Sequence, residues 1–183
     1  MSIKRLAERL LKTSFGTFNE VLYHDGQSES IALIMGEIRE GEKVLCRIHS
    51  ACLGGHVFNS VECECAAEMA AAQAAICSEG RGVIIYLDQE GKGNGHLALM
   101  LSIPFKEMGS TQAEAYDKAG FPADARDYRP AAEILKDLGV RSIILLTESS
   151  KKADDLATHG ICVSATRNLA VSKRKMRPGA QPH

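Results

Sequence analysis

The apolar positions in the N-terminal part of the chain follow a β-type pattern. Residues 14–23 and 30–35 are rich in β-branched and aromatic side chains, and the intervening Asp25-Gly26 pair is typical of a tight hairpin turn. Residues 44–48 are a third apolar run and predict a third strand. Together these runs predict an antiparallel β unit at the front of the chain.

A different pattern precedes these strands. Leu6, Leu10 and Leu11 recur at helical spacing and predict a short helix over residues 3–12. Charged side chains interrupt every apolar stretch of this segment, so it lacks the apolar core of a signal peptide. We therefore expect a protein of the cytoplasm, where cysteines are thiols or metal ligands more often than disulfides.

After residue 65 the pattern alternates between helical and strand segments. Residues 66–78 are alanine-rich and predict a helix that ends near Gly80, and residues 83–87 are a continuous apolar run typical of a strand covered on both faces. Pro104 is expected to bend or break the helix predicted over residues 96–108. The remaining predicted elements are helices over residues 131–138 and 150–158 and strands over residues 143–147 and 161–164.

Composition is that of an ordinary globular domain. The 183 residues are 45% hydrophobic and 25% charged, and no run approaches the roughly 20 apolar residues of a membrane span. The net charge of -1 gives no overall field that would attract nucleic acid or an acidic membrane, so neither is expected as a partner. We predict one domain over residues 1–170 and a basic, flexible tail over residues 171–183.

Three cysteines follow the pattern C-x10-C-x-C. Cys52, Cys63 and Cys65 suit zinc, which binds thiolates, and three protein ligands leave a fourth tetrahedral position for water. Zinc lowers the pKa of such a water toward neutrality, and the dipole of the following helix is expected to favour the thiolate of Cys65. A structural site with His49 or His56 as fourth ligand, and buried cysteines without metal, stay open at this point. The other cysteines are predicted to lie in the core: Cys46, Cys77 and Cys162.

Four motifs carry a resemblance to a known family. In one-letter form they are RIHSACL at 47–53 with CEC at 63–65, QEGK at 89–92, DARDY at 124–128, and LLT at 145–147 with KK at 151–152. Their order and spacing are similar to those of GTP cyclohydrolase II, from about residue 14 to residue 170. The resemblance implies an α+β fold, in which helices flank a mixed β-sheet that includes an N-terminal antiparallel β unit.

The resemblance also implies a reaction and a set of site residues. In that family water activated by zinc attacks C8 of guanine, the imidazole ring opens, and formate and pyrophosphate leave. Magnesium assists the triphosphate, and the enzymes are usually homodimers. The implied catalytic residues are Asp124 as general base and Arg126 as the group that attacks the α-phosphate. The implied zinc ligands are Cys52, Cys63 and Cys65. The implied nucleotide contacts are Arg47, His49, Ser50, Glu90, Gly91, Lys92, Thr147 and Lys152.

Several positions depart from the family pattern. The catalytic tyrosine of the family aligns with Ile103, and the nearest downstream tyrosine, Tyr116, lies on a different predicted segment. Family members that lack the tyrosine are expected to keep the formyl group on the opened ring. Glu62 and Asp88 replace arginines, and Glu68 replaces a glutamine. If Glu62 and Asp88 line the pocket, they repel a triphosphate.

The motifs and the departures together support three hypotheses. The first is a zinc hydrolase of this family that opens the ring of a nucleotide, with GTP as a substrate and the formyl group retained. The second is a paralogue that acts on another base, such as a uracil nucleotide. The third is an inactive nucleotide-binding protein that keeps zinc structurally. The retained Asp124 and Arg126 favour an enzyme, whereas the lost tyrosine and arginines favour divergence.

Overall fold

A computed structural model describes residues 3–169 and residue 171. In this part of the chain the strands belong to one sheet, and all the helices follow β4 in chain order. The strands are β1 (Lys4–Lys12), β2 (Thr17–His24), β3 (Glu29–Met35), β4 (Val44–Ser50), β5 (Gly82–Leu87), β6 (Ser142–Leu146) and β7 (Cys162–Arg167). The helices are α1 (Leu53–His56), α2 (Cys65–Glu79), α3 (His96–Glu107), α4 (Gln112–Lys118), α5 (Arg129–Asp137) and α6 (Ser150–Thr158), with a 3-10 turn at Glu90–Gly93.

The sheet is mixed, with the spatial order β1-β2-β3-β5-β4-β6-β7. β1, β2, β3 and β5 pair antiparallel, whereas β4 pairs parallel with both β5 and β6, and β6 pairs parallel with β7. This confirms the predicted α+β class. The assignment of β4 to the antiparallel unit is wrong, because six of its seven residues are buried and such a strand belongs at the centre of a sheet covered on both faces.

The helix predicted over residues 3–12 is wrong as well. This segment is the edge strand β1, which pairs antiparallel with β2. Leu6 and Leu10 are four residues apart, and that spacing places both on one face of a strand as readily as on one face of a helix. Pairing with β2 supplies backbone hydrogen bonds that a short isolated helix cannot match in stability.

Proline at position 104 neither ends nor interrupts helix α3. The helix runs from His96 to Glu107 with Pro104 inside it. The hydrogen bond that this proline removes would have reached the carbonyl of Met100. Met100 is 60% exposed, so water can solvate the carbonyl that is left without its helical partner.

Two layers of helices cover the faces of the sheet. On one face α2 packs through Ala72 and Ile76 against Leu45 and Ile84. On the other face α5 and α6 pack against the alternate residues of the same central strands and of their neighbours. α2 ends at Gly80, whose backbone is left-handed with φ of 71° as expected for a helix C-terminus. The contacts of Ala72 and Ile76 with the sheet hold α2 in place, although these are the only two of its residues that are fully buried in the described structure.

The parallel strands direct three loops to one edge of the sheet. β4 ends at Ser50, β5 at Leu87 and β6 at Leu146, and parallel strands have their carboxyl ends at the same edge. The loops that follow contain the first predicted metal ligand, the QEGK motif and Thr147. Ligands of open α/β sheets bind at this edge, so the fold itself indicates where to look for a site.

The remaining sequence predictions concern the other cysteines, membrane-spanning segments and the C-terminal tail. Cys46 is buried as predicted, but Cys77 is only half-buried and Cys162 is exposed, because β7 is an edge strand. None of the described helices is long and apolar enough to cross a membrane. The predicted tail lies outside the described residues apart from Val171, so the domain boundary at residue 170 stays a prediction.

We expect Ile76→Ala to lower the free energy of unfolding by about 2–5 kcal/mol, because Ile76 is fully buried between α2 and the sheet. Leu10→Ala is the control and should change it by less than about 0.5 kcal/mol, since Leu10 is 73% exposed on β1. Urea unfolding followed by circular dichroism measures both. Equal effects of the two substitutions would contradict this account of the core.

Candidate metal centre and adjoining cavities

Three thiols converge at the carboxyl edge of the sheet. Cys52 follows β4, whereas Cys63 and Cys65 lie just before and at the start of α2. Their sulfur atoms all lie within 4.8 Å of one another, and Cys52 Sγ is 3.6 Å from Cys63 Sγ. In the described part of the chain no histidine or carboxylate joins this group as a fourth member. The three predicted ligands are therefore together, and the cluster can hold a metal ion.

Gly55 provides the space in which the thiols meet. A Cβ atom at this position would lie 2.9 Å from Cys63 Sγ, closer than Cβ atoms come to other atoms in proteins, and 3.2 Å from Cys52 Sγ, which is a tight contact. The Gly55 N–H also donates to Cys52 Sγ at 3.4 Å. Two sulfurs bound to one tetrahedral zinc at about 2.3 Å lie about 3.8 Å apart, so the observed thiol spacing fits such an ion.

The pKa values of two of the thiols, Cys52 and Cys65, are raised in the metal-free cluster. Burial raises the pKa of Cys52, and burial together with the neighbouring Cys63 thiol raises that of Cys65. The expected lowering of the Cys65 pKa by the helix dipole is therefore overcome in the metal-free cluster. Metal binding requires thiolates, so the cluster should release protons as it takes up an ion.

His49 and His56 face each other rather than the cluster. Their Nε2 atoms are 2.9 Å apart, and both rings lie near Tyr86. Burial, with the nearby charge of Arg47 as a second cause, lowers the pKa of His49 to about 3. His49 is thus neutral at pH 7, and this arrangement does not support a closed site with a histidine as fourth ligand.

The cluster opens onto a cavity of about 290 Å³, which we call the thiol cavity. Four buried polar atoms of its lining have no hydrogen-bond partner within the described residues: Arg47 Nε, His49 Nδ1, Ser50 Oγ and Gln89 Oε1. Buried polar groups are nearly always hydrogen-bonded in proteins. Unpaired groups concentrated in one cavity therefore indicate a place for a polar ligand or for water.

A second cavity of about 340 Å³, the arginine cavity, adjoins it. The two share Arg47, Glu68, Arg126 and Lys152 in their linings. Nearly all the nucleotide contacts implied by the resemblance lie in the thiol cavity, and Thr147 lines the arginine cavity. Those in the thiol cavity are Arg47, His49, Ser50, Glu90, Gly91, Lys92 and Lys152. Placement supports these residues as ligand contacts, while their individual roles stay predictions.

Asp124 lines neither cavity and is paired with Arg126. Arg126 donates from Nε to Asp124 Oδ1 at 2.9 Å and from Nη2 to Oδ2 at 2.5 Å, a bidentate ion pair. Burial alone would raise the pKa of Asp124, but the hydrogen bonds from Arg126 outweigh it and lower the pKa. Asp124 is thus a carboxylate at neutral pH, and it fixes the direction in which Arg126 points.

Glu90 joins two loops of the site. Its Oε2 accepts a hydrogen bond from the Leu53 N–H at 2.7 Å, and its Oε1 lies 3.6 Å from His96 Nδ1. Gly91 follows in a left-handed conformation with φ of 60°, and a Cβ there would lie 3.3 Å from the hydroxyl of Tyr116. The QEGK turn is therefore held against the cysteine loop on one side and against α4 on the other.

Tyr116 is a residue of the site that the sequence motifs do not identify. This residue of α4 lines the thiol cavity with Leu99 and Gln112, whereas Ile103 does not. Burial, and secondarily the charge of Glu90, raises the pKa of Tyr116 to about 12, so its hydroxyl keeps its proton. No spacing in the sequence signals this contact, because it depends on how α3 and α4 pack together.

The acidic residues at the cavities also differ from those expected. Glu62 and Asp88 are exposed and line neither cavity, so the condition under which they would repel a triphosphate is not met. Glu68 is the important replacement, because its Oε2 accepts a hydrogen bond from Arg47 Nη2 at 2.6 Å. Glu64 and Glu148 line the arginine cavity beside it.

A thiol cluster that leaves one coordination position open, beside cavities with arginine and lysine side chains, is typical of a metal-dependent enzyme. The comparisons with known proteins give the family. The model of the family described as GTP cyclohydrolase II matches residues 4–168. The chain therefore belongs to the GTP cyclohydrolase II family, which is a family of hydrolases.

Two similar proteins are both named "Riboflavin biosynthesis protein RibBA". The one from Bacillus mycoides (strain KBAB4) is 44% identical over 164 residues, which cover 88% of this chain and 41% of the relative. The one from Bacillus cereus (strain ATCC 14579) is 47% identical over 152 residues, which cover 82% of this chain and 38% of the relative. The chain thus spans about two fifths of the length of these relatives.

A solved structure is also similar at a lower level. It is a crystal structure of RibBX, described as a two domain 3,4-dihydroxy-2-butanone 4-phosphate synthase from A. baumannii. The TM-score is 0.49 at 17% identity, and the match covers 94% of this chain and 41% of that one. Neither value supports an inference about function.

We expect Gly55→Ala to weaken zinc binding at least tenfold although it removes no ligand, because its Cβ would occupy the space between two sulfurs. Gly54→Ala is the matched control, since a Cβ there has no neighbour closer than 3.6 Å. Competition with a chromogenic zinc chelator measures both affinities. Equal affinities in the two variants would contradict the role given to Gly55.

Proposed function

We propose that this protein is a zinc-dependent hydrolase that opens the ring of a nucleotide base, as GTP cyclohydrolase II does, and leaves the formyl group on the product. The observation that carries the proposal is the three-thiol cluster at the wall of the thiol cavity. Cys52, Cys63 and Cys65 would hold the ion. Zinc bound there lowers the pKa of a water molecule and so supplies a nucleophile near pH 7.

The unpaired polar atoms of the thiol cavity would receive the base. Ser50 Oγ and Gln89 Oε1 are buried without a partner in the described structure, and a purine or pyrimidine edge offers both donors and acceptors. The Leu53 N–H orients Glu90 through Oε2, and Oε1, which lies 3.6 Å from His96 Nδ1, would accept an N–H from the base. These residues would place the ring beside the cluster. The hydrogen bonds that they form with the ligand would offset the cost of burying their polar atoms.

Asp124 and Arg126 form the second part of the proposed machinery. Arg126 lines both cavities, so its guanidinium lies where a base and a phosphate would meet. Arg126 engages both carboxylate oxygens of Asp124, and the general-base role carried over to Asp124 would use a second lone pair on one of these oxygens. In the closed pair Asp124 acts as a positioning residue for Arg126.

The product is expected to keep its formyl group because the side chain at position 103 cannot donate a proton. Ile103 lies one helical turn beyond Leu99 on α3, outside the lining of the cavity. Tyr116 reaches the cavity from α4 instead and contributes a protonated hydroxyl near Gly91. We assign to its hydroxyl a hydrogen bond to the bound base. Tyr116 would make this bond from α4, whereas the family's tyrosine corresponds to position 103 on α3.

A second candidate is the hydrolysis of another base, such as a uracil nucleotide. It is favoured by Glu68, which replaces a neutral family residue and pairs with Arg47 in the cavity. Magnesium on the phosphates, a homodimer, a cytoplasmic location and a role in riboflavin formation are further expectations from the family. Because the chain matches only part of each relative, all of these belong to the proposal.

Zinc-loaded protein incubated with a panel of nucleotides should yield a product heavier by one water and no formate. Mass spectrometry and an enzymatic formate assay measure the two outcomes. Cys63→Ser should abolish zinc retention and turnover together. Formate released in step with turnover would contradict formyl retention. Zinc binding without formation of any product would contradict the proposed hydrolase activity and would favour an inactive nucleotide-binding protein.

Tyr116→Phe should lower kcat/KM about tenfold or more, which corresponds to one lost hydrogen bond of about 1.4 kcal/mol. The ring stays in place, so the variant should still retain zinc. Tyr23→Phe is the control, because Tyr23 is buried in the core away from the cavities and bonds to Asp137. Equal kcat/KM values in Tyr116→Phe and the unmodified protein would contradict the hydrogen bond assigned to the Tyr116 hydroxyl.

A further inference from the structure

Among the described residues that line the arginine cavity, cationic and acidic side chains are equal in number. Arg47, Arg126 and Lys152 contribute three positive groups, and three glutamates also line the cavity. The glutamates are Glu64, Glu68 and Glu148. A cavity that binds several phosphates normally carries a clear excess of cationic groups, because each phosphate loses its hydration there and needs donors in return.

The charge of Arg47 is already paired with a carboxylate, that of Glu68. Arg47 Nη2 donates to Glu68 Oε2 at 2.6 Å, and Nη1 donates to the carbonyl oxygen of Leu146 at 2.8 Å. The Arg47 side chain is 8% exposed and that of Glu68 is 34% exposed. The pair is partly buried, so salt screens it less than it screens a surface pair, and Glu68 competes directly with any anion that approaches Arg47.

The other two cations are committed as well. Arg126 forms the bidentate pair with Asp124. Lys152 donates to the carbonyl oxygen of Ile48 at 3.0 Å and lies over the ring of Tyr128. Burial, and then the charges of Arg47 and Arg126, lower the pKa of Lys152 to about 7, so it is only partly charged at neutral pH.

Two of the acids in the cavity lack a cationic partner. In the described part of the chain neither Glu64 nor Glu148 takes part in a salt bridge. An anion in the arginine cavity therefore meets committed cations and uncommitted carboxylates. One phosphate can take the place of a single carboxylate on its arginine. A triphosphate brings about four negative charges, more than the three cationic side chains that line the cavity among the described residues.

We infer that the site is selective for a nucleoside carrying at most one phosphate and disfavours the triphosphate. This inference rests on the proposed function, since it concerns the ligand of that same site. It also explains why Glu68 stands beside Arg47, because a carboxylate there supplies the negative charge that a longer phosphate chain would otherwise bring.

The test is a calorimetric titration of the zinc-loaded protein with paired ligands, GMP against GTP and UMP against UTP. The monophosphate should bind at least tenfold tighter than the triphosphate in whichever pair binds. Glu68→Gln should tighten triphosphate binding at least tenfold, and the gain should shrink as salt rises. Glu148→Gln should shift the preference in the same direction, which keeps the test valid if the first variant folds poorly.

Glu62→Gln is the matched control, since it makes the same chemical change at an exposed position outside both cavities. It should alter neither affinity by more than about twofold. A triphosphate that binds tighter than its monophosphate, while the one-water product still forms, would overturn the inference and leave the proposed function intact. Absence of both binding and product with every nucleotide would contradict the proposed function, and the inference would fall with it.

Discussion

The parallel pairing of β4 with β5 on one side and β6 on the other is the constraint on which the rest of the structure depends. It brings the ends of three buried strands to one edge, and the loops beyond that edge carry the thiols, the QEGK turn and Thr147. Helix α2 then returns from the cysteine loop across the sheet, so the packing of Ile76 also fixes Cys65 at the opposite end of the same helix. Core and site are thus built from the same elements.

Charge pairing couples stability to ligand choice in this site. Arg47 is buried, and a buried guanidinium without a counter-charge would cost several kcal/mol. Glu68 supplies that counter-charge and at the same time cancels the cation that the family resemblance assigns to the nucleotide. The same relation holds for Asp124 and Arg126. A site whose cations are internally paired binds an anion only by exchanging partners, which favours small anions over highly charged ones.

Local patterns predicted much of this arrangement. The alanine-rich helix ending at Gly80 and the buried strand β5 depend on short-range signals, and the cysteine cluster depends on ligands within 14 residues of one another. Such features are fixed by neighbours in the sequence. The family motifs then located many of the further residues of the thiol cavity, although not Tyr116.

The expectations that failed depend on distant contacts. The leucine spacing in β1 is compatible with both a helix and a strand, and only the pairing with β2 decides between them. The burial of β4 does not reveal which strands flank it. Tyr116 reaches the cavity through the packing of α4, and no alignment of motifs shows that Glu68 rather than Glu62 faces Arg47.

The central claim is that three thiols hold a metal ion with one position left open for chemistry. X-ray absorption at the zinc edge of the metal-loaded protein measures this directly. Three sulfur ligands at about 2.3 Å and one oxygen ligand are the result the account predicts. A fourth ligand from the protein, whether a histidine nitrogen or another sulfur, would contradict it, because a closed site leaves no place for the water on which the proposed reaction depends.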